Sequence, residues 1–254
     1  MLEIYEELVH LLSRGEGAIL ATVISSEGSS PRKPGAKMLI RRNGTFIGTV
    51  GGGGVEEQVL KRASQVLASG KAEIIHLDLS GEGKEEMICG GRMSIFLEPV
   101  MPPETLYLFG AGHVSQSVAK VAKMLGLRIV VIDPRAELNN AQHFPDADLR
   151  IVDDYLSAFS KLNVERESYI VICTPRHISD EECLELALKT QARYIGMLAS
   201  QRKVKEIREH LLSKGVPKDK LDAVYSPIGL DIGAETPQEI ALSILAEIVK
   251  VRRS

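Results

Sequence analysis

An apolar run, LYLF, breaks at Gly110-Ala111-Gly112 and resumes at once as HVSQSVAKVAKMLG, with apolar residues at helical spacing. This is a strand, a turn too tight for side chains and a helix, and few folds accommodate that sequence of events. The pattern is G-x-G-x-x-S. Ser115 stands where the dinucleotide fingerprint has its third glycine, which serves helix–strand packing, and a small serine fits the same purpose. The next strand, RIVVID, ends at Asp133, where an acid can bind a ribose hydroxyl. Gly110, Gly112 and Asp133 are therefore expected to hold NAD or another adenine nucleotide. His113, inside the turn, lies beside any pyrophosphate or is simply an exposed histidine. The acid at 133 favours NAD over NADP, and Arg135 weakens that preference. A Rossmann turn that has kept its shape without its ligand is the alternative.

The same rhythm runs on to the C-terminus. SYIVICT, ARYIGM and a short AVYS read as further strands, with helices near 179–190, 201–214 and 236–252. Continuous apolar strands alternating with helices imply a parallel sheet covered on both faces. Thr236-Pro237-Gln238-Glu239 reads as a capping box with proline at the first helical position, and Ser179-Asp180-Glu181-Glu182 as a second. Loops at the carboxyl ends of parallel strands face the ligand crevice. CTPRHISD thus offers Thr174, Arg176 and His177 for substrate or cofactor contact, while Asp180 is explained by the capping box. Arg202 and Lys203 fall in the first turn of a helix, where the dipole disfavours cations. They mark either a bound phosphate or carboxylate, or a solvated basic surface.

Upstream, Pro99, Pro102 and Pro103 exclude a central strand and a helix interior and place a domain junction near residues 100–104. Residues 1–100 read as a small α+β domain and 105–254 as a Rossmann-like, doubly wound α/β domain. In the first, AILATVIS, AEIIHLDL and RMSIFLEPV are strands, and Asn43-Gly44 turns a hairpin within AKMLIRRNGTFIGTV. Four consecutive glycines, Gly51, Gly52, Gly53 and Gly54, precede a helix from about Val55 to Ser69. Glycine costs more backbone entropy on folding than any other residue. Such a run is either a linker or a turn that presents backbone N–H groups and a helix N-terminus to an anion. SSEGSSPRKPGAK adds Ser29, Ser30, Arg32, Lys33 and Lys37. Together these could hold a phosphorylated ligand. Cys89 sits beside Gly90 and Gly91, either an approachable thiol or an inert core cysteine.

Bulk properties exclude several classes. Basic and acidic residues number 31 and 34, a net charge of −3, so there is no electrostatic footprint for nucleic acid or an anionic membrane. No apolar stretch approaches the roughly 20 residues needed to span a bilayer. MLEIYEELVHLLSRGEG is an amphipathic helix and not a signal peptide. Three cysteines with neither a CxxC pair nor zinc spacing argue against a disulfide framework and for the reduced cytoplasm.

Taken together, TVISSEGSSPRKPGAKML, GTVGGGGVEE, CGGRMSIFLEP, LFGAGHVSQSVAKVAKMLGLRIVVIDPR, YIGMLASQRKV and SPIGLDIGAETPQEIALSILAEI resemble the XdhC/CoxI family, the xanthine dehydrogenase accessory factors. The resemblance implies two domains, the second a Rossmann domain. It also implies a role in maturing a molybdenum hydroxylase: binding molybdenum cofactor, protecting it while a cysteine desulfurase adds the terminal sulfur, and passing it to the apoenzyme. The cofactor's phosphate or nucleotide diphosphate tail is then the anion expected at the glycine run. The family commonly carries cysteine after three glycines, where this chain has Gly54; if that cysteine helps hold molybdenum in relatives, this chain has either lost the ligand or uses Cys89 alone. A homodimer is the default expectation. The competing reading is a nicotinamide-dependent oxidoreductase using the Rossmann half for hydride transfer, for which His113 and His177 are the obvious proton donors.

Overall fold

A computed structural model describes residues 1–28, 30–79, 91–162 and 164–253, with the backbone alone for His177. Two compact units divide the chain, Met1–Pro102 and Pro103–Ser254.

The first unit opens with helix α1 (Leu2–Ser13), followed by strands β1 (Ala18–Glu27), β2 (Lys37–Arg41) and β3 (Phe46–Gly48). Helix α2 (Gly53–Ser69) and strands β4 (Glu73–Asp78) and β5 (Arg92–Val100) complete it. All strand pairs are antiparallel, in the order β3-β2-β1-β5-β4. The hairpin turns at Asn43-Gly44 as expected: Gly44 has φ +83°, and Asn43 Oδ1 accepts from the Thr45 N–H and hydroxyl. Alternation along β1 sorts the core into two layers. Ile19, Ala21 and Val23 face Val55, Val59, Ala63 and Val66 of α2, while Ala18 and Leu20 face Ile4, Leu8 and Leu11 of α1. Each fully buried valine of this kind stabilises by about 2 kcal/mol.

The second unit contains β6 (Thr105–Phe109), α3 (His113–Met124), β7 (Arg128–Ile132), β8 (Leu149–Ile151), α4 (Tyr155–Lys161) and β9 (Ser168–Ile172). It continues with α5 (His177–Ala187), β10 (Tyr194–Met197), α6 (Gln201–Ser213), α7 (Lys218–Asp222) and α8 (Pro237–Arg253). Its strands are parallel, in the order β10-β9-β6-β7-β8. The chain steps outward from β6 to β7 and β8, then returns to β9 on the other side of β6. The direction reverses there, and the crevice between β6 and β9 is the place where such sheets take ligands. Leu106, Leu108, Ile129 and Val131 pack with α3 and α8 on one face; Tyr107, Phe109, Val130 and Ile132 pack against the other layer.

Several expectations are corrected. AVYS is not a strand; Tyr225 makes a single parallel bridge to Gly196. β8, α4 and α7 were too short or too irregular in pattern to read. Pro99 lies inside β5, paired with Ile19. β4 pairs with β5 only from Arg92 to Leu97, so at Pro99 one side of the strand is open and a missing donor costs little. The Thr236 box forms: Glu239 N–H donates to Thr236 Oγ1 at 3.3 Å, and Thr236 N–H to Glu239 Oε2 at 2.8 Å. The Ser179 box does not. α5 starts two residues earlier, with Arg176 at its N-cap and no side-chain cap, and Asp180 is used elsewhere.

We expect limited proteolysis to cut in the connection between Val100, the last residue of β5, and Thr105, the first of β6, and to leave a stable fragment starting close to Leu106. Resistance there, with one unfolding transition by every probe, would mean that the two units fold as one.

Candidate functional site at the ends of the parallel strands

The turn after β6 has two glycines with opposite reasons for being glycine. Gly110 has φ +108°, and a Cβ there would lie 2.2 Å from the Cys173 carbonyl oxygen. The protein's own backbone demands it. Gly112 has φ −75°, and a Cβ there would meet nothing within 4 Å. Nothing in the chain requires glycine at 112, so the open face of the turn is free for approach from outside. Gly112 is also the N-cap of α3, with no side chain capping the helix, and His113 is exposed at its first position. Ser115 is buried where the fingerprint's third glycine would pack.

Asp133, expected to meet a ribose, has no exposed surface. Oδ2 accepts from the Ala111 N–H at 2.7 Å and from Arg135 Nη2 at 2.7 Å; Oδ1 accepts from Arg135 N and Nε, both at 2.9 Å. Tyr155 Oη reaches the same carboxylate at 3.5 Å. Both oxygens are taken up within the chain, and the residue ties the glycine turn to the end of β7. Burial alone would push the Asp133 carboxyl up; the Arg135 guanidinium and the N–H groups of Arg135 and Ala111 outweigh it and hold the group below the usual carboxylate range. Burial, and then the charge of Asp133, push the Tyr155 hydroxyl well up, so it stays protonated.

The loop after β9 repeats the device. Asp180, fully buried, accepts from the Thr174 N–H at 3.0 Å and the Thr174 hydroxyl at 2.6 Å, and pairs with the Lys203 ammonium. The cation that looked misplaced in the first turn of α6 is thus neutralised internally. Arg202 projects into solvent and pairs with Glu206 at 2.9 Å. Ser200, unread in the sequence, caps α6 by accepting from the Lys203 N–H at 3.3 Å. Thr174 lies in the loop after β9 and His177 is the first residue of α5; the His177 side chain lies outside the described residues. Burial, followed by the charge of Asp180, pushes the Cys173 thiol up to about 12, which leaves it no thiolate character near neutral pH.

In the first unit the glycine run bends sharply, with φ of +156°, +73° and +45° at Gly51, Gly52 and Gly53. Thr49 Oγ1 accepts from the Gly51 N–H at 3.3 Å, and Glu56 Oε1 accepts from the Gly52 N–H at 3.1 Å. The N–H groups of Gly53 and Gly54, at the first two positions of α2, have no acceptor within the helix. A Cβ at Gly52 or Gly53 would meet nothing within 4 Å, whereas one at Gly51 would touch Pro31. Pro31 therefore brings the loop holding Ser30, Arg32 and Lys33 against the run, and Arg32 and Lys33 are exposed. The carboxylate of Glu56 already supplies part of the negative charge that this helix end favours. Cys89 and Ser29 lie outside the described residues. A cavity of about 350 Å³, unread in the sequence, is lined by Ser25, Glu27, His76, Asp78, Arg92 and Ser94. His76 Nδ1 and Ser94 Oγ are 2.9 Å apart there. Among the described residues no cluster of three His, Cys, Asp or Glu side chains has a geometry suited to a metal, and no helix is long and apolar enough to cross a membrane.

The depressed Asp133 carboxyl makes a signed prediction. Its stabilising contribution is present above the unfolded carboxylate pKa, about 3.9, and is lost as pH falls through the lower folded value. Asp133→Asn should cost on the order of 3 kcal/mol at neutral pH and flatten the acid limb of the stability–pH curve, as followed by urea unfolding at a series of pH values. An unchanged acid limb would show that Asp133 does not govern it.

Each unit matches a known family. Residues 106–248 match the XdhC Rossmann domain, and residues 11–78 match the XdhC and CoxI family. The chain is 34% identical to the uncharacterized protein YqeB of Escherichia coli K12 over its whole length, and it spans 47% of that relative. It is 26% identical to a probable xanthine dehydrogenase subunit of Bacillus subtilis 168, covering 96% of both chains. With the molybdenum cofactor insertion chaperone PaoD of E. coli K12 it shares 24% identity, over 96% of this chain and 86% of that one. The crystal structure of a xanthine dehydrogenase from Bacillus halodurans superposes with a TM-score of 0.55 at 26% identity, covering 98% of this chain and 96% of that one. With both units matched, the chain belongs to the XdhC and CoxI family.

Proposed function

We propose that this protein is an accessory factor in the maturation of a molybdenum hydroxylase of the xanthine dehydrogenase type, binding molybdenum cofactor and assisting its sulfuration and insertion. The observation that carries this reading is the likeness, along almost the whole chain, to a molybdenum cofactor insertion chaperone. The reading brings a hydroxylase apoenzyme and a cysteine desulfurase as partners, and a cytoplasmic setting.

The residues fit such a cargo. The N–H groups of Gly53 and Gly54 at the start of α2, with Ser30, Arg32 and Lys33 in the loop whose Pro31 lies against Gly51, suit a phosphate tail. Asp78 and Arg92, which line the 350 Å³ cavity, stand at the two ends of the stretch that carries Cys89. In the second unit Gly110, Gly112, His113, Thr174 and His177 frame the crevice proposed for an adenine nucleotide. Asp133 and Arg202 are not part of that proposal, because their charges are met by Arg135 and Glu206. Asp133 offers no ribose contact to this crevice or to the oxidoreductase alternative, since both its oxygens are taken within the chain.

Gly112→Val tests the nucleotide crevice. The backbone at 112 suits any residue and the added carbons meet no protein atom, so thermal stability should hold. Affinity for NAD, NADP, ATP or ADP by calorimetry should fall at least about tenfold, as expected where a side chain blocks close backbone approach. Wild-type protein that binds none of the four at millimolar concentration would remove the nucleotide from the proposal.

Molybdenum per protein, by elemental analysis after gel filtration, tests the cargo. Cys89→Ser should lower it sharply, while Cys173→Ser and Cys183→Ser should not, since both thiols are pushed up by burial. Gly54→Cys, at a helical position without positive φ, should raise it. Equal molybdenum in wild type and Cys89→Ser would reject the thiolate; none in any variant would reject the cofactor itself.

A further inference from the structure

Enclosing Asp133 changes what the end of β7 offers to a ligand. In a Rossmann crevice the adenosine ribose lies at this strand end, where an acid binds its 2′-hydroxyl or an arginine its 2′-phosphate. Here the acid is spent: both oxygens of Asp133 accept from within the chain, and the residue has no exposed surface. The arginine is not. Asp133 engages Nε and Nη2 of Arg135, while no hydrogen bond among the described residues engages Nη1, which is not buried. The Arg135 side chain is 35% exposed. Its place is fixed as well, because Asp133 Oδ2 accepts from Nη2 and from the Ala111 N–H, both at 2.7 Å. One oxygen thus holds the guanidinium beside the glycine turn whose open face is at Gly112.

A guanidinium has donors and no acceptor, and its planar fork matches a phosphate. A 2′-hydroxyl gains little from it, since the acceptor that would take the hydroxyl proton is gone. We propose that Arg135 is the specificity-determining residue of this crevice, which takes adenosine carrying a 2′-phosphate, as in NADP, in preference to NAD. Resting on the nucleotide reading of the crevice, this preference is the reverse of the one that an acid at 133 suggests in the sequence. Neighbouring charge sets the strength of the contact. Asp133 offsets part of the charge of Arg135, and Glu137, exposed two residues further on, acts on the same guanidinium. Glu137 is therefore the carboxylate that opposes a phosphate there.

Calorimetry on the full chain with NADP, NAD and the 2′,5′- and 3′,5′-bisphosphates of adenosine tests the assignment. NADP should bind at least about tenfold tighter than NAD, the worth of one hydrogen bond to a charged group. The 2′,5′-bisphosphate should likewise bind tighter than its 3′,5′ isomer, which carries the same charge. Arg135→Lys keeps a cation for Asp133 but loses the fork, and should bring NADP down to the affinity of NAD; a thermal melt shows whether the Asp133 anchor survives in it. Glu137→Gln changes only an exposed side chain and should tighten NADP about twofold or more, with less effect on NAD. NADP bound no tighter than NAD, isomers bound alike, a folded Arg135→Lys that keeps its NADP affinity, or a Glu137→Gln with no gain would each overturn the assignment and leave the nucleotide reading standing. Silence from every adenine nucleotide, ATP and ADP included, would remove that reading as well.

Discussion

Asp133 carries its charge to a place with no exposed surface, and the second unit is arranged around keeping it there. Its carboxylate fastens the Ala111 N–H in the glycine turn and the Arg135 N–H after β7, so the ends of two neighbouring strands share one anchor. The nearby cation is only partly covered, which spares the chain the cost of burying both partners completely. Asp180 repeats the arrangement on the other side of the crevice, holding the loop after β9 through Thr174 and drawing Lys203 across from α6. Each wall of the crevice is thereby fixed by a buried anion and a half-exposed cation. Removing either anion would strand a cation and release a loop at once.

Between these anchors the glycines divide by what surrounds them. At Gly48, Gly110 and Gly229 an added Cβ would fall within 2.5 Å of the protein's own atoms, at positive φ, so the fold itself excludes other residues. At Gly52, Gly53 and Gly112 it would meet open space. These three lie at helix N-termini, where unpaired N–H groups collect, whereas other glycines with open space, such as Gly44 in the hairpin turn and Gly70 at the C-cap of α2, serve the turn itself. Gly52 and Gly53 have positive φ and so a backbone reason for glycine, which leaves Gly112 as the position where neither backbone nor packing asks for it.

Much of this was legible in the residues alone. The strands of the first unit and the β6–α3–β7 unit follow from period-2 and 3.6 patterns, and the Thr236 box and Asn43-Gly44 turn from local chemistry that acts within a few residues. The resemblance to the XdhC and CoxI family rests on motifs that are contiguous in the chain, and it stands. β8, α4 and α7 escaped because three to seven residues are too few to establish a period.

What the sequence determined by itself, then, was most of what neighbours along the chain set: the longer strands and helices, the Asn43-Gly44 turn and the Thr236 cap, and that a Rossmann unit follows a smaller α+β one. What only the tertiary structure decided was how charges far apart in sequence are satisfied. Asp180 looked like a helix cap and Lys203 like a misplaced cation until α5 and α6 brought them together across 23 positions. Asp133 looked like a ribose ligand until the fold enclosed it with Ala111, Arg135 and Tyr155. A buried charge must find partners wherever the fold places them, and a one-dimensional pattern does not encode that proximity.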